Sequence, residues 1–206
     1  VNFSGTVGGF VKFCQGATDI SNASRPITQE EMADCRSNGV RYIELPVAYD
    51  ALTVVVNDEN TWAEDMNLAE LEMLWDSSAE NSITRWSQVR PDGPDEEILL
   101  YGPGTDSGTF DYFTEVIIGE DSTSRSDYTS SEDDDELVQA VQMEPNALGY
   151  FGYAYYREAR DSLKALAIDS GNGPIYPSGE TIRSNEYQPL ARPLFIYVSV
   201  EALDNS

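Results

Sequence analysis

Histidine does not occur among the 206 residues of this chain. A nucleophilic serine needs a general base, most often histidine, so its absence argues against the common serine triads. Serine–lysine chemistry on Ser107 would need Lys12 or Lys164 nearby, and neither spacing suggests it. Without histidine, and with only two cysteines, a zinc site is disfavoured too. We therefore predict that the chain is not an enzyme and that it has no cofactor and no metal site.

Lysine is almost absent as well: Lys12 and Lys164 are the only lysines among 12 basic residues, against 37 Asp and Glu. The formal net charge is −25. Nucleic acids and anionic membrane surfaces are poor partners, because both require a Lys/Arg footprint. An excess of carboxylate with little lysine suits a halophilic or marine protein, whose self-repulsion is screened by salt. An ordinary acidic secreted protein is the alternative.

Cysteine is limited to Cys14 and Cys35. In an exported protein such a pair would form a disulfide, which we favour on that condition. Two buried free thiols are the alternative. No hydrophobic run reaches the length of a membrane span. The chain opens at Val1 without a methionine or a signal peptide, so we expect a mature form or a fragment.

What the sequence does contain is the pattern of a globular α/β protein. Apolar residues make up 40% of the chain, and strand-like runs alternate with helix-like stretches. Residues 42–45 and 51–56 are predicted as two strands, the second continuous and β-branched as in a buried strand. Residues 98–101 are a further strand. The acidic, Ser/Thr-rich stretch 119–136 is predicted as a solvated loop.

Two glycine-rich turns each precede a predicted helix, at residues 5–9 and 102–109. A helix start offers unpaired N–H groups and the positive end of the macrodipole, and glycine lets an anion come close to the backbone. Such a start is a ready site for phosphate or sulfate. One Ser-Gly-Thr turn is also ordinary N-capping, so the case depends on both turns together. The hydroxyls that they carry are Thr6, Thr105, Ser107 and Thr109.

Arg25 is the candidate cation for such a site. It lies in a strand-to-helix turn, before a capping box of Thr28 and Glu31 that predicts a helix to about Ser37. A guanidinium there could bind two oxyanion oxygens in a fork. A surface arginine paired with a carboxylate is the alternative.

At these residues the sequence resembles a known family, the PstS-type phosphate-binding proteins of bacteria and archaea. The motifs follow in the family's order and cover nearly the whole chain. The matching segments are residues 5–10, 13–14, 18–27, 46–57, 100–111, 149–154 and 192–198.

The resemblance implies an α/β fold of the periplasmic-binding-protein type (type II), with two α/β lobes joined by crossing strands and the ligand in the interlobe cleft. Lobe one would be residues 1–55 with 192–206, and lobe two residues 56–191. It also implies a periplasmic or extracellular, monomeric solute-binding protein. Such a protein captures inorganic phosphate and delivers it to the membrane permease of an ABC importer, in some cases from a lipid anchor.

The ligand residues are carried over from the family motifs, with two departures. Many members have an acidic residue where this chain has Arg25, and an arginine where it has Pro103. The charge would thus have moved from one lobe to the other. The residues expected to bind phosphate are Thr6, Ser24, Arg25, Asp106, Ser107, Gly108 and Thr109.

In the family, the acidic residue accepts the proton of hydrogen phosphate and so helps to reject sulfate. Here Asp106 could take that part, with Asp50 and Asp111 as weaker candidates. A binder of another oxyanion, such as sulfate or molybdate, is one alternative function. A structural surface protein that kept the fold is another. The family's N-terminal loop and C-terminal helices would fall outside residues 1–206, so we expect an incomplete copy of the fold.

Overall fold

The computed structural model describes residues 5–91, 93–119 and 123–204. They group into two compact units. Unit 1 contains the described residues up to Asp50 and from Arg192 onward, and unit 2 contains those from Ala51 to Ala191. The lobe boundaries expected from the sequence stay a prediction.

The helices and strands alternate along the chain, as expected for an α/β protein. The helices are α1 (Gly5–Cys14), α2 (Gln29–Ser37), α3 (Leu68–Trp75), α4 (Trp86–Val89), α5 (Gly108–Phe113), α6 (Asp134–Met143), α7 (Tyr153–Ala159), α8 (Gly179–Arg183) and α9 (Val200–Asp204). The strands are β1 (Ile20–Ala23), β2 (Tyr42–Asn57), β3 (Asp65–Asn67), β4 (Leu99–Pro103), β5 (Thr129–Ser131), β6 (Ala147–Gly152), β7 (Leu163–Ala165), β8 (Ala167–Asp169), β9 (Pro174–Ile175) and β10 (Ala191–Ser199). Among the described residues, none of these helices is both long enough and apolar enough to cross a bilayer.

In unit 1, β1 and β10 pair antiparallel, with Ile20 opposite Val198. Helix α1 presents Phe10 and Phe13, spaced three residues apart on one face, and both are fully buried. The ring of Tyr197 lies 4.8 Å from that of Phe10 in an edge-to-face arrangement. Burying one such aromatic side chain contributes about 1.5–3 kcal/mol. This core holds α1 against the sheet and so fixes where the helix begins.

A disulfide joins Cys14 at the end of α1 to Cys35 in α2. The pairing predicted from the sequence is therefore confirmed. The bridge cross-links the two helices that flank the turn carrying Arg25.

Removing this bridge is our first prediction. It closes a loop with a sequence separation of 21, for which the chain-entropy model gives about 3 kcal/mol of stabilisation. We expect Cys14→Ser with Cys35→Ser to lower the free energy of unfolding by that amount in urea titrations. Adding a reductant should destabilise the native protein equally and leave the double variant unchanged. Equal stability of the two proteins without reductant would contradict the prediction.

The large sheet of unit 2 has the strand order β2, β6, β4, β5, with β7 also paired to β2. Strand β6 is antiparallel to β2 and parallel to β4, and β4 is parallel to β5. A second, small sheet contains β3, β8 and β9. Strand β4 is hydrogen-bonded along both edges, to β6 and to β5, so the loop that follows it starts from a fixed point.

Trp75, at the end of α3, is the centre of the unit 2 core and has no exposed surface. Its ring packs edge-to-face against Phe113, Tyr128 and Tyr150. Gly102 in β4 allows this packing, because a Cβ there would lie 2.9 Å from Cε1 of Tyr150. The core therefore reaches directly beneath the second glycine-rich turn.

Strand β2 corrects one expectation. The sequence predicts separate strands at 42–45 and 51–56, whereas a single strand runs from Tyr42 to Asn57 through Pro46. The residue before a proline is restricted to extended backbone, so Pro46 does not interrupt the strand. The half of β2 in unit 1 is exposed or half-buried, and every residue from Ala51 to Asn57 is buried.

Candidate functional site

Residues 5–9, predicted as a glycine-rich turn that precedes a helix, are instead the first residues of α1 in unit 1, so that prediction is wrong. Thr6 is the second residue of the helix, and its Oγ1 lies 3.0 Å from Oγ of Ser24. The backbone N–H of Ser24 also donates to Thr6 Oγ1, at 3.2 Å. Gly9 lets α1 come this close to β1, because a Cβ there would lie 2.8 Å from Ser21 Oγ. The structure thus brings together two of the predicted ligand hydroxyls.

Arg25 follows directly, and its guanidinium contacts Glu31, Pro26 and Phe10. Its Nη1 and Nη2 donate to the two carboxylate oxygens of Glu31, both at 2.9 Å. Nη1 also donates to the carbonyl of Pro26, at 3.1 Å. The guanidinium carbon lies 5.6 Å from the ring centre of Phe10, a cation–π distance. Arg25 is therefore paired with a carboxylate in this structure, which is the alternative that the sequence left open to a ligand role.

Glu31 serves both this ion pair and the start of α2. The predicted capping box is confirmed: Thr28 accepts from the N–H of Glu31, and the Glu31 carboxylate accepts from the N–H of Thr28. Its bond to Arg25, together with these cap bonds, lowers the pKa of the Glu31 carboxyl, although burial opposes the shift. Arg25 is thus oriented by the cap of the next helix. We call Thr6, Ser24 and Arg25 the donor cluster.

A large groove lies within unit 1, and Thr6 and Ser24 of the donor cluster belong to its lining. Its volume is about 870 Å³, which suits a drug-sized molecule more than a single ion. Much of its wall is apolar, and apolar surface does not compensate an oxyanion for the loss of water. We therefore consider the cluster, and not the groove, as the candidate anion site. The apolar wall is formed by Ile20, Val47, Leu194, Phe195 and Ile196.

In unit 2 the second glycine-rich turn connects β4 to α5, and we call residues 104–109 the donor turn. The N–H of Ser107 donates to the carbonyl of Gly104, at 3.1 Å. Ser107 is the N-cap of α5, and its hydroxyl accepts from the N–H of Thr109, at 3.1 Å. A Cβ on Gly108 would meet no atom within 4 Å, so packing of the protein does not require glycine there. This turn brings together four of the residues predicted to bind phosphate: Asp106, Ser107, Gly108 and Thr109.

The three aspartates proposed as proton acceptors have different environments. Asp50 forms an ion pair with Arg192, at 3.1 Å from Nη2. Asp106 is exposed in the donor turn, and Asp111 is exposed in the first turn of α5.

Sequence reasoning missed a fourth carboxylate, that of Glu132. It lies against Gly104 so closely that a Cβ on Gly104 would be 2.0 Å from Glu132 Oε1. Glu132 belongs to the acidic stretch predicted as a solvated loop. That prediction is wrong in part, since β5 and the start of α6 lie within the stretch. A regular strand–helix arrangement is what carries Glu132 to the donor turn.

Comparison with known proteins places this geometry in a family. The family model of the PBP superfamily domain matches residues 1–203. The chain belongs to this superfamily. The predicted fold class and the resemblance to PstS-type proteins are thereby confirmed.

Individual relatives agree with the family assignment. The chain is 55% identical to Protein SphX of Synechocystis sp. over 206 residues, which are 100% of this chain and 61% of the relative. It is 35% identical to the phosphate-binding protein PstS of Staphylococcus saprophyticus, covering 98% of this chain and 61% of that protein. The chain thus spans less than two thirds of these curated relatives.

A solved structure from Planctomyces limnophilus, described as a possible phosphate binding protein, is 51% identical, with a TM-score of 0.89. The match covers 95% of this chain and 69% of that one.

Proposed function

We propose that this chain is the phosphate-binding part of a solute-binding protein that captures inorganic phosphate outside the cytoplasm. The whole protein would deliver the ion to the membrane permease of an ABC importer, as a monomer. The observation that carries the proposal is the donor cluster, in which the hydroxyl of Thr6 on α1 lies 3.0 Å from that of Ser24, the residue before the oriented guanidinium of Arg25. The names of the relatives from Staphylococcus and Planctomyces support phosphate as the ligand.

The chemistry of both donor groups suits an oxyanion. Hydroxyls and backbone N–H groups donate hydrogen bonds without a counter-charge, and a guanidinium matches two oxygens of a tetrahedral anion. We propose that the donor cluster and the donor turn both donate to bound phosphate. The net charge of −25 does not oppose this, because distant charges act through screened solvent while hydrogen bonds act at contact.

Location outside the cytoplasm is part of the proposal. Disulfides persist in oxidising compartments and are rare in the cytosol, so the Cys14–Cys35 bridge favours a periplasmic or extracellular protein. A lipid anchor would keep such a protein near its permease.

The experiment that tests the function is a calorimetric titration of the purified protein with phosphate, in high salt near neutral pH, with sulfate as the control. One-to-one phosphate binding without comparable sulfate binding is the expected result. Absence of heat with both anions, from a protein shown by circular dichroism to be folded, would refute the proposal for this chain.

Arg25→Ala tests the cation. We expect it to weaken phosphate binding about tenfold to a hundredfold, since a hydrogen bond to a charged group contributes about 1.5–3 kcal/mol. Arg36→Ala is the matched control, because Arg36 is exposed at the end of α2 in the same unit and its loss changes the net charge equally. If both variants bind phosphate alike, Arg25 is not a phosphate ligand and the cation is wrongly assigned.

A further inference from the structure

The donor cluster depends on two helices whose relative position has to be fixed before a ligand arrives. Thr6 lies on α1, whereas the guanidinium of Arg25 is paired with Glu31, which lies on α2. The ring of Phe10, also on α1, has its centre 5.6 Å from the same guanidinium. Because a ligand that must order its own site binds more weakly, phosphate affinity should depend on how firmly α2 is attached to α1.

Helix α2 has little apolar packing of its own. Cys35 is the one buried residue among its nine, and the side chain of Met32 is half-buried against the core of unit 1. A helix of this length is marginal in water by itself, since most helical stability in proteins comes from the packing of an apolar face. The attachment of α2 to unit 1 therefore depends strongly on Cys35 and its bond to Cys14.

The other end of the bridge is firmly placed. Cys14 is 2% exposed and ends α1, whose Phe10 and Phe13 have no exposed surface and belong to the core of unit 1. The bridge thus fastens a weakly packed helix to one that the core already holds.

A second contact connects the bridge to the residue that holds Arg25. The Sγ atom of Cys14 lies 3.4 Å from the backbone carbonyl oxygen of Glu31. The carboxylate of Glu31 accepts from Nη1 and Nη2 of Arg25, both at 2.9 Å. The bridge therefore packs against the backbone of Glu31, while the side chain of Glu31 orients the cation.

We propose that the Cys14–Cys35 bridge is a positioning element of the phosphate site. By joining α2 to α1 it holds Glu31, and through Glu31 the guanidinium of Arg25, where the ligand meets it. This inference rests on the proposed function and adds to it the device that preorganises the cation. The effect on affinity is separate from the effect of the bridge on the free energy of unfolding.

The test is the phosphate affinity of Cys14→Ser with Cys35→Ser, measured by calorimetry under conditions where circular dichroism shows the variant to be folded. We expect phosphate to bind at least about threefold more weakly, because binding must then order α2 and the Arg25 side chain. The loss should be partial, since the N–H of Ile27 still donates to the hydroxyl of Tyr197 and keeps the turn attached. Cys14→Ala with Cys35→Ala is a second disulfide-free variant, which places no hydroxyl in the core.

Two controls distinguish positioning from a general loss of stability. Arg125→Met should destabilise the protein at least as much, but the contacts that it removes lie within unit 2, so its phosphate affinity should be unchanged. The second control is a thermodynamic cycle in which Arg25→Ala is combined with the disulfide-free variant. If the bridge acts through Arg25, removing Arg25 should cost less affinity without the bridge than with it.

The outcomes separate the inference from the function. The inference is overturned, and the function stands, if a folded disulfide-free variant binds phosphate less than threefold more weakly than the native protein. An equal loss of affinity in Arg125→Met, or the same cost of Arg25→Ala with and without the bridge, would overturn it too. If the folded native protein binds no phosphate, the function fails and the inference with it.

Discussion

Replacing Arg125 by methionine is expected to lower the free energy of unfolding by about 3–5 kcal/mol, because each buried polar group left without its partner costs about 1–3 kcal/mol. Only 4% of Arg125 is exposed. Its guanidinium donates to the carbonyls of Leu74 and Ile83, both at 3.0 Å, and to both oxygens of Asp127. Methionine fills a similar volume but leaves those carbonyls and the carboxylate without their donor.

Urea unfolding followed by tryptophan fluorescence measures this effect. Arg85→Met is the matched control, because the Arg85 side chain is 50% exposed and its partner Asp95 is 78% exposed. An exposed ion pair contributes about 0–1 kcal/mol, so the control should be nearly neutral. If the two variants unfold at the same urea concentration, Arg125 contributes no more to stability than the exposed Arg85 does.

The stability lost on replacing Arg125 should depend on pH, because Arg125 is paired with the carboxylate of Asp127. The bond from Arg125 lowers the pKa of Asp127 from 3.8 to about 2. A carboxyl with a depressed pKa in the folded state stabilises the protein above its unfolded pKa, and that stabilisation is lost as pH falls through the folded value. The difference between native protein and Arg125→Met should therefore be full above about pH 4 and should shrink as the pH falls towards 2.

The second large effect concerns binding. We expect Thr6→Val combined with Ser107→Ala to weaken phosphate binding a hundredfold or more. Each variant removes one hydroxyl donor, and a hydrogen bond to a charged ligand contributes about 1.5–3 kcal/mol, which is roughly tenfold or more in affinity. Thr6 belongs to the donor cluster and Ser107 to the donor turn, so the double variant affects both groups.

The controls are Thr129→Val and Ser130→Ala, the same replacements at exposed hydroxyls of β5. Calorimetry on the two single variants and the double variant gives a thermodynamic cycle. Losses that multiply would indicate two independent donors to phosphate. A double variant that binds like the native protein would show that neither hydroxyl is a ligand.

Local signals in the sequence predicted the parts of the fold that depend on nearest neighbours. The capping box of Thr28 and Glu31 starts α2 as predicted, because both groups lie on one turn. The turn at Ser107 precedes α5 for the same reason. The cysteine pair followed from composition together with the expected export. In each case the physical cause lies within a few residues of the chain, or in the number of cysteines.

Features that depend on distant segments were not predicted. Arg125 lies in the acidic stretch expected to be solvated, and it is buried because Leu74 and Ile83, 51 and 42 positions away, present their carbonyls to it. Glu132 reaches the donor turn only because β5 pairs with β4 in parallel register. No periodicity or spacing in the sequence encodes either contact, since each joins segments that are far apart along the chain.

Arg25 lies between these two cases. Its carboxylate partner is only six residues away, and the sequence left that pairing open as the alternative to a ligand role. What the pattern could not give is the geometry, in which Glu31 and Phe10 fix the guanidinium from two sides. The sequence around Arg25 is the same whether the arginine only pairs with Glu31 or also binds phosphate. Only the binding measurement distinguishes the two roles.

The disulfide has a practical consequence for studying this molecule. Both cysteines of the chain are joined to each other, so the oxidised protein carries no reactive thiol. A single cysteine introduced at an exposed position of the donor turn, such as Thr105, would be the one site for a thiol-directed fluorophore. Labelling would need no prior removal of native cysteines, which makes the chain a convenient scaffold for an optical reporter of its ligand.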